Sequence, residues 1–491
     1  MDITIVGGGT AGWIAAYFLI NDHPGRFNVT VIESSDIGII GAGEGATGNL
    51  IDLLNGVYFP NTEDISEFIE KTDGTHKYGI YHQNWNGDGK GYFAPIDGTY
   101  SWQNYEDYIF KYALAEYGHE QFHLASPIGI RYENDIRGRL HSTHFDGFKV
   151  GEYFKEKCLS KGVELIDDIV TKVDCLHGVI TRIHLKNNGK LISDFYIDCT
   201  GFSRVLSKSL DMGWKSYSDH LPVNTAMPFQ QAHNKSQDDL ELYTTATALS
   251  SGWMLNVPLS SRYGCGYIFD NRFTNEKQAQ KEVESYLGKP IDPIKFIHFN
   301  AGRSETFWKG NCLNLGLASG FVEPLEATSI HVTINQLLLF SKEYLTDTSQ
   351  MLDKENQNAY NKKIGFLFDS ILDFISFHYM TERNDSNFWQ HMTKKTTATP
   401  NARNFYTHCK MKIPGVLSLQ GTVGSANISL WNWIAAGLGI ITPEQAQIEL
   451  QNSENKERAQ KEFEVMLNQE IQDLHLFNLI EKHKNCKDNY K

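Results

Sequence analysis

The stretch MDITIVGGGTAGWIAAYFLINDHPGRFNVTVIE, residues 1–33, decides the fold. ITIV is short and rich in β-branched residues, so it reads as a strand. GGGTAG follows, then WIAAYFLI with helical composition, then FNVTVIE as a second strand ending at Glu33. Gly7, Gly9 and Gly12 form GxGxxG between the first strand and the helix. The first glycine permits the tight turn, the second lets the backbone approach a pyrophosphate, and the third lets helix pack on strand. The N–H groups around Thr10 and Ala11 open the helix and face an anion with the positive end of its dipole. Glu33 stands at the end of the second strand, where a carboxylate can take ribose hydroxyls. The plainer alternative is a glycine turn of structural use only. The strand, the helix and the placed acid together favour dinucleotide binding.

The bulk numbers bound what surrounds this unit. A chain of 491 residues exceeds what one hydrophobic core usually serves, so two or three domains are expected. A formal net charge of −14 argues against nucleic acid and anionic membrane as partners. The seven cysteines are scattered, with no CxxC pair, and read as free thiols of a reducing compartment, not as a disulfide frame or a metal site. The chain opens directly on a strand, and no apolar run approaches the ~18 residues of a membrane span. A cytoplasmic protein without metal is expected.

Further along, VGEYFKEKCLSKGVELID reads as an amphipathic helix leading into a strand. KVDCLHGVITRIHLKNNGKLISDFYIDCTG reads as a meander with a turn at NNG. YGCGYIFD is strand-like within a mixed region, and long helical segments dominate after about residue 331. The expected class is α/β: an FAD-binding, Rossmann-type, two-dinucleotide-binding (GR2-like) module with an inserted β-rich substrate region and a mainly helical C-terminal part. The expected division is 1–345 and 346–491. SDFYIDCTGFSR at 193–204 is a strand entering a small-residue turn, as flavoproteins of that kind place late in the FAD domain. IGAGEGATG at 40–48 adds a glycine-rich loop, either a flexible loop or a backbone strap over a flavin formed by Gly41, Ala42, Gly43 and Glu44.

Taken in order, GGGTAGW (7–13), GAGEG (41–45), THKYGIYHQNW (75–85), HFDG (144–147), DCTGF (198–202), GWMLNVPLSSRYGCGY (252–267), GR (302–303), WKGN (308–311), GFVEPLEATSIH (320–331), DFISFHY (373–379) and FW (388–389) form a set. With these motifs the chain resembles the flavin-dependent halogenases of the tryptophan-halogenase type, over nearly its whole length. The resemblance implies FADH2 supplied by a separate reductase, with O2 and a halide as co-substrates. It implies that a flavin hydroperoxide oxidises halide to hypohalous acid, which a lysine relays to an electron-rich arene. Matched to the family's motifs, that lysine is Lys77 and the catalytic glutamate is Glu326. The halide then lies at the backbone of Thr328 and Ser329, and Gly316, Ser319 and Gly320 join the cofactor set. Without the family, Lys77 reads as a surface lysine and Glu326 as a helix-start carboxylate favoured by the dipole.

Two departures bear on specificity. The family's W-x-W-x-I-P motif reads Trp253-Met254-Leu255-Asn256-Val257-Pro258, keeping Trp253 and Pro258 but placing the smaller Leu255 where the second tryptophan stands. Ala327-Thr328-Ser329 also differs from the best-known tryptophan-specific members, which leaves chloride, bromide and iodide open. No segment that would clamp a free amino acid is recognisable, so an indole- or phenol-like arene is expected instead of free tryptophan alone. Tyr78, Tyr81, Trp85, Tyr92, Phe93, Trp102, Phe388 and Trp389 are candidates for its pocket, most of them expected in the core. An FAD-dependent aromatic monooxygenase and a non-catalytic flavin-binding protein are the alternatives. A homo-oligomer is left open.

Overall fold

The computed structural model describes residues 1–38, 44–60, 65–96, 108–121, 142–236, 239–345, 351–394, 396–415, 428–451, 456–457 and 459–461. The chain forms two compact units. One comprises Met1–Gly74, Phe145–Pro222 and Phe299–Asp369, and the other Thr75–His144, Val223–His298 and Ser370–Lys491. The chain crosses between the units several times, because the sheets pair strands far apart in sequence.

The first unit is built on a six-stranded sheet. Its order is Trp308–Lys309, Cys312–Asn314, Phe195–Asp198, Asp2–Val6, Asn28–Glu33, Glu164–Asp167. All pairs are parallel except the edge hairpin Trp308–Lys309/Cys312–Asn314. Parallel strands are covered on both faces, and the central ones read as apolar runs accordingly. The helix Thr10–Asp22 follows the first strand, and eight of its residues, Gly12–Leu19, are buried. It packs against the helix Gly147–Ser160, whose N-cap Asp146 accepts from the amides of Phe148 and Lys149. The NNG turn closes the hairpin of Val179–Leu185 with Gly189–Leu191.

The second unit centres on a seven-stranded sheet. Its order is Ile297–His298, Thr225–Ala232, Arg262–Phe269, Gly252–Pro258, Thr244–Ala248, Gly79–Gln83, Gly91–Pro95. The mixed region of the sequence thus supplies the middle of this sheet. A separate two-stranded ribbon pairs Thr75–Lys77 with Ser142–His144. Helices Glu276–Leu287, Asn387–Met392, Pro400–Met411, Ile428–Gly437 and Pro443–Gln451 are also described here. Glu276–Leu287 opens with a reciprocal capping box between Asn275 and Gln278. The long helix Lys354–His378 runs through the division at 369/370. Among the described residues no helix is long and apolar enough to cross a membrane. The six described cysteines are all free, and Cys486 lies outside the described residues.

Candidate active site: a backbone cradle and a buried lysine

In the first unit the glycine motif sits where the sequence places it. Gly7 leaves the first strand with φ 111°, and a β-carbon there would stand 2.2 Å from the Cys199 carbonyl oxygen. A β-carbon on Gly12 would stand 1.9 Å from the Gly7 carbonyl oxygen. The turn is therefore closed to side chains by its own backbone. Gly9 is the extended N-cap of the helix, and no side chain caps it, so the N–H groups of its first turn point into an open approach.

Gly316, with φ 59°, comes so close to Ala11 that a β-carbon would stand 2.6 Å from the Ala11 side chain. The 3-10 turn Gly316–Ala318 thus lies against the opening of the helix. Ser319 closes that turn by donating from Oγ to the Gly316 carbonyl at 2.7 Å, and Gly320 packs on the Phe368 ring. Arg204 braces the same segment, donating to the Ala318 carbonyl at 3.2 Å. Gly7, Gly9, Thr10, Ala11, Gly12, Gly316 and Ser319 are therefore brought together in one unit. Their shape, a glycine turn with open amides, fits the diphosphate of FAD.

Glu33 adds a detail that sequence cannot give. Its Oε2 accepts from Trp13 Nε1 at 3.0 Å, and Oε1 pairs with Lys155. The carboxylate is held in place by two neighbours and keeps lone pairs for a ribose. Glu44 fixes the start of the HFDG segment through its carbonyl, which accepts from the Phe145 amide at 3.0 Å. Gly41, Ala42 and Gly43 lie outside the described residues. Thr47 and Asn49, just beyond them, join the His331 imidazole and carbonyl at 3.0 and 3.1 Å. Burial lowers the His331 pKa to about 4.

The segment GFVEPLEATSIH resolves into two turns. Pro324–Glu326 is 3-10, Ala327 is left-handed at φ 53°, and the helix Thr328–Leu339 begins afterwards. Glu326 thus ends a tight turn just before the following helix. The N-cap Ala327 offers no side-chain acceptor to the first turn of Thr328–Leu339, the kind of helix opening that can take an anion. Glu323 is fully buried, whereas Glu326 is partly accessible.

In the second unit, Lys77 ends the strand Thr75–Lys77 and is only 1% exposed. Lysines are seldom buried so completely, because the ammonium loses its hydration. Two buried histidines lie close enough to feel its charge. Burial, then Lys77 and His76, push His144 well below the ordinary imidazole range. Burial, then His378 and Lys77, do the same to His82. His82 stacks on Tyr92 with centroids 4.9 Å apart and lies 5.3 Å from His378. His378 Nδ1 donates to the Phe374 carbonyl at 2.8 Å. The spacing of His82, His144 and His378 along the chain gives no hint of this grouping. The one available signal was position: His82 lies in the lysine's own motif and His144 opens HFDG.

Trp253 and Pro258 are buried in the strand Gly252–Pro258, and Trp253 Nε1 donates to the Tyr379 hydroxyl at 2.9 Å. Leu255 is half-buried between Ala246 and Gly266 on the neighbouring strands. Both directly paired neighbours are small. Trp85, Tyr92, Phe93, Phe388 and Trp389 are core residues. Tyr78 and Tyr81 are half-buried, and Trp102 is outside the described residues.

The first unit thus has the fold and cradle of an FAD-binding protein of the two-dinucleotide class. The family model for tryptophan halogenases matches residues 2–453, and the chain belongs to that family. It is 27% identical to the 7-chloro-L-tryptophan 6-halogenase of Kutzneria sp. strain 744 over 502 residues, covering 94% of each chain. It is 28% identical to the tryptophan 7-halogenase of Lentzea aerocolonigenes, covering 79% of this chain and 78% of that one. Among solved structures it resembles Tar14, a tryptophan C-6 flavin-dependent halogenase from taromycin biosynthesis. The TM-score is 0.85 at 26% identity, over 98% of this chain and 97% of that one. The protein is accordingly an FADH2-dependent oxidoreductase that uses halide and O2.

Proposed function

We propose that this protein halogenates an electron-rich arene of the indole or phenol type, with Lys77 and Glu326 as catalytic residues. Reduced flavin, when bound, supplies with O2 the two-electron oxidation that converts halide to hypohalous acid. A separate reductase delivers it. Gly7, Gly9, Thr10, Ala11, Gly12 and Glu33 would hold the dinucleotide, with the strap Gly41–Glu44 and the segment Gly316, Ser319 and Gly320 completing its site. The open amides at Thr328 and Ser329 would hold the halide.

Lys77 donates a hydrogen bond to hypohalous acid, or takes the halogen on its amine, and so orients and polarises the electrophile. Glu326 takes the proton that the ring loses after attack, or polarises the electrophile. The observation that carries this reading is the burial of Lys77 beside histidines that stay neutral. A fully buried lysine is uncommon and is expected where chemistry uses it. The relatives named above act on tryptophan or chlorotryptophan. This chain shares about a quarter of its residues with them and lacks a recognisable amino-acid clamp, which supports a wider arene class.

The test is a panel of L-tryptophan, indole and phenol with chloride, bromide and iodide, a flavin reductase, and product mass spectrometry. Halogenated indole or phenol is expected. Strict chlorination of free tryptophan would overturn the substrate reading. Hydroxylated product formed without halide would favour a monooxygenase instead, the outcome that the smaller Leu255 in the motif keeps open.

A further inference from the structure

A line of four groups in the second unit has proton positions fixed by chemistry alone. A carbonyl oxygen only accepts, so the Thr75 hydroxyl donates to the Pro258 carbonyl, 2.6 Å away. That uses the one proton of Thr75. Its Oγ1 must therefore accept from His144 Nδ1, at 2.9 Å. Burial, Lys77 and His76 keep the His144 ring neutral near pH 7. Its Nε2 then carries a lone pair, and the Thr244 hydroxyl donates to it at 2.9 Å. The line runs from Thr244 to His144, then to Thr75, then to Pro258, and all four residues are buried.

The line joins two strands of the seven-stranded sheet to the ribbon that carries Lys77. In that ribbon Thr75 lies opposite His144, and Lys77 opposite Ser142. Strand alternation puts Thr75 and Lys77 on the same face, as neighbours along it. Pro258 is the last residue of the departing motif strand, and Thr244 opens the strand beside it. Whatever fixes the Thr75 side chain therefore fixes the register and tilt of the short strand whose next side chain on that face is Lys77.

We propose that His144 is a positioning residue for Lys77: its Nδ1–H tautomer locks Thr75 onto the Pro258 carbonyl and so aims the lysine. The proposal rests on the catalytic reading of Lys77 given above. His144 itself acts through the strand.

The test has a spectroscopic and a kinetic arm, both on the full FAD-bound chain. With histidine nitrogens labelled, nitrogen-15 NMR should show His144 neutral and protonated at Nδ1 between about pH 6 and 8. The signal is assigned by its loss in His144→Asn. An Nε2–H tautomer or an imidazolium at pH 7 overturns the proposal. In turnover, using the arene and halide that the wild type converts fastest, His144→Phe should lower kcat by about 10²-fold through misplacement of Lys77. The halide KM and the flavin Kd should not change. His144→Asn, whose amide can still donate to Thr75, should recover most of that loss. If His144→Phe does not fold, Thr75→Val cuts the same line and should give the same kcat loss; unchanged kcat there overturns the proposal. Halogenation retained by Lys77→Ala sinks the role of Lys77. Activity lost in Lys77→Ala but kept in His144→Phe sinks only the role of His144.

Discussion

The dinucleotide cradle and the lysine strand solve opposite problems. In the cradle, the chain removes side chains so that backbone amides can reach an anion. Gly7 and Gly12 are shut against any β-carbon by backbone oxygens within 2.2 Å. Around Lys77 the chain does the reverse. It packs side chains densely about one amine and keeps the nearby imidazoles neutral. Gly7 and Gly12 thus admit no added carbon, whereas Gly9 between them has open space around it. The lysine strand depends on which atoms carry protons.

The sharpest way to break this contrast is at the cradle. Gly12→Val must place carbon inside the Gly7 carbonyl, so flavin binding should be lost altogether. Absorbance of the purified protein and a flavin titration would measure it, and wild-type affinity would refute the steric account. A change at a proton-bearing group should act on rate alone. Glu326→Gln keeps the shape of the turn ending at that residue, and turnover should fall roughly 10²–10⁴-fold with flavin Kd unchanged. Parallel losses in Kd and rate would make Glu326 structural.

Smaller effects concern stability. Trp253→Phe keeps a ring but deletes the donor to the Tyr379 hydroxyl, leaving a buried oxygen with one partner fewer. The cost should be about 1–3 kcal/mol, read from denaturant midpoints. The histidines should give a pH dependence. His82 and His144 have folded pKa values below the ordinary 6.5. Below that value the unfolded chain binds protons that the folded chain refuses, so stability is full above pH ~6.5 and declines as pH falls. A melting temperature that did not drop between about pH 7 and 5 would contradict the neutral state of these rings.

Much of the cradle was legible in residues 1–33, because glycine spacing reports directly on where backbone must come close. The parallel pairing of Asp2–Val6 with Asn28–Glu33 followed from the same stretch. The pairing of Glu33 with Trp13 and Lys155 did not, since Lys155 comes from a distant helix. Lys77 and Glu326 were found by resemblance to a family, not by any local pattern. Periodicity cannot bring Thr75, His144, Thr244 and Pro258 into one line, because they meet only across sequence separations of 69, 183 and 100 residues. The left-handed Ala327 between Glu326 and the helix carried no signal in the sequence.

The central claim is that Lys77 handles the halogen while the cradle handles the flavin, and one variant separates them. Lys77→Ala, supplied with a flavin reductase, halide and the preferred arene, should bind flavin as the wild type does and yield no halogenated product by mass spectrometry. Halogenated product at wild-type yield would contradict the account.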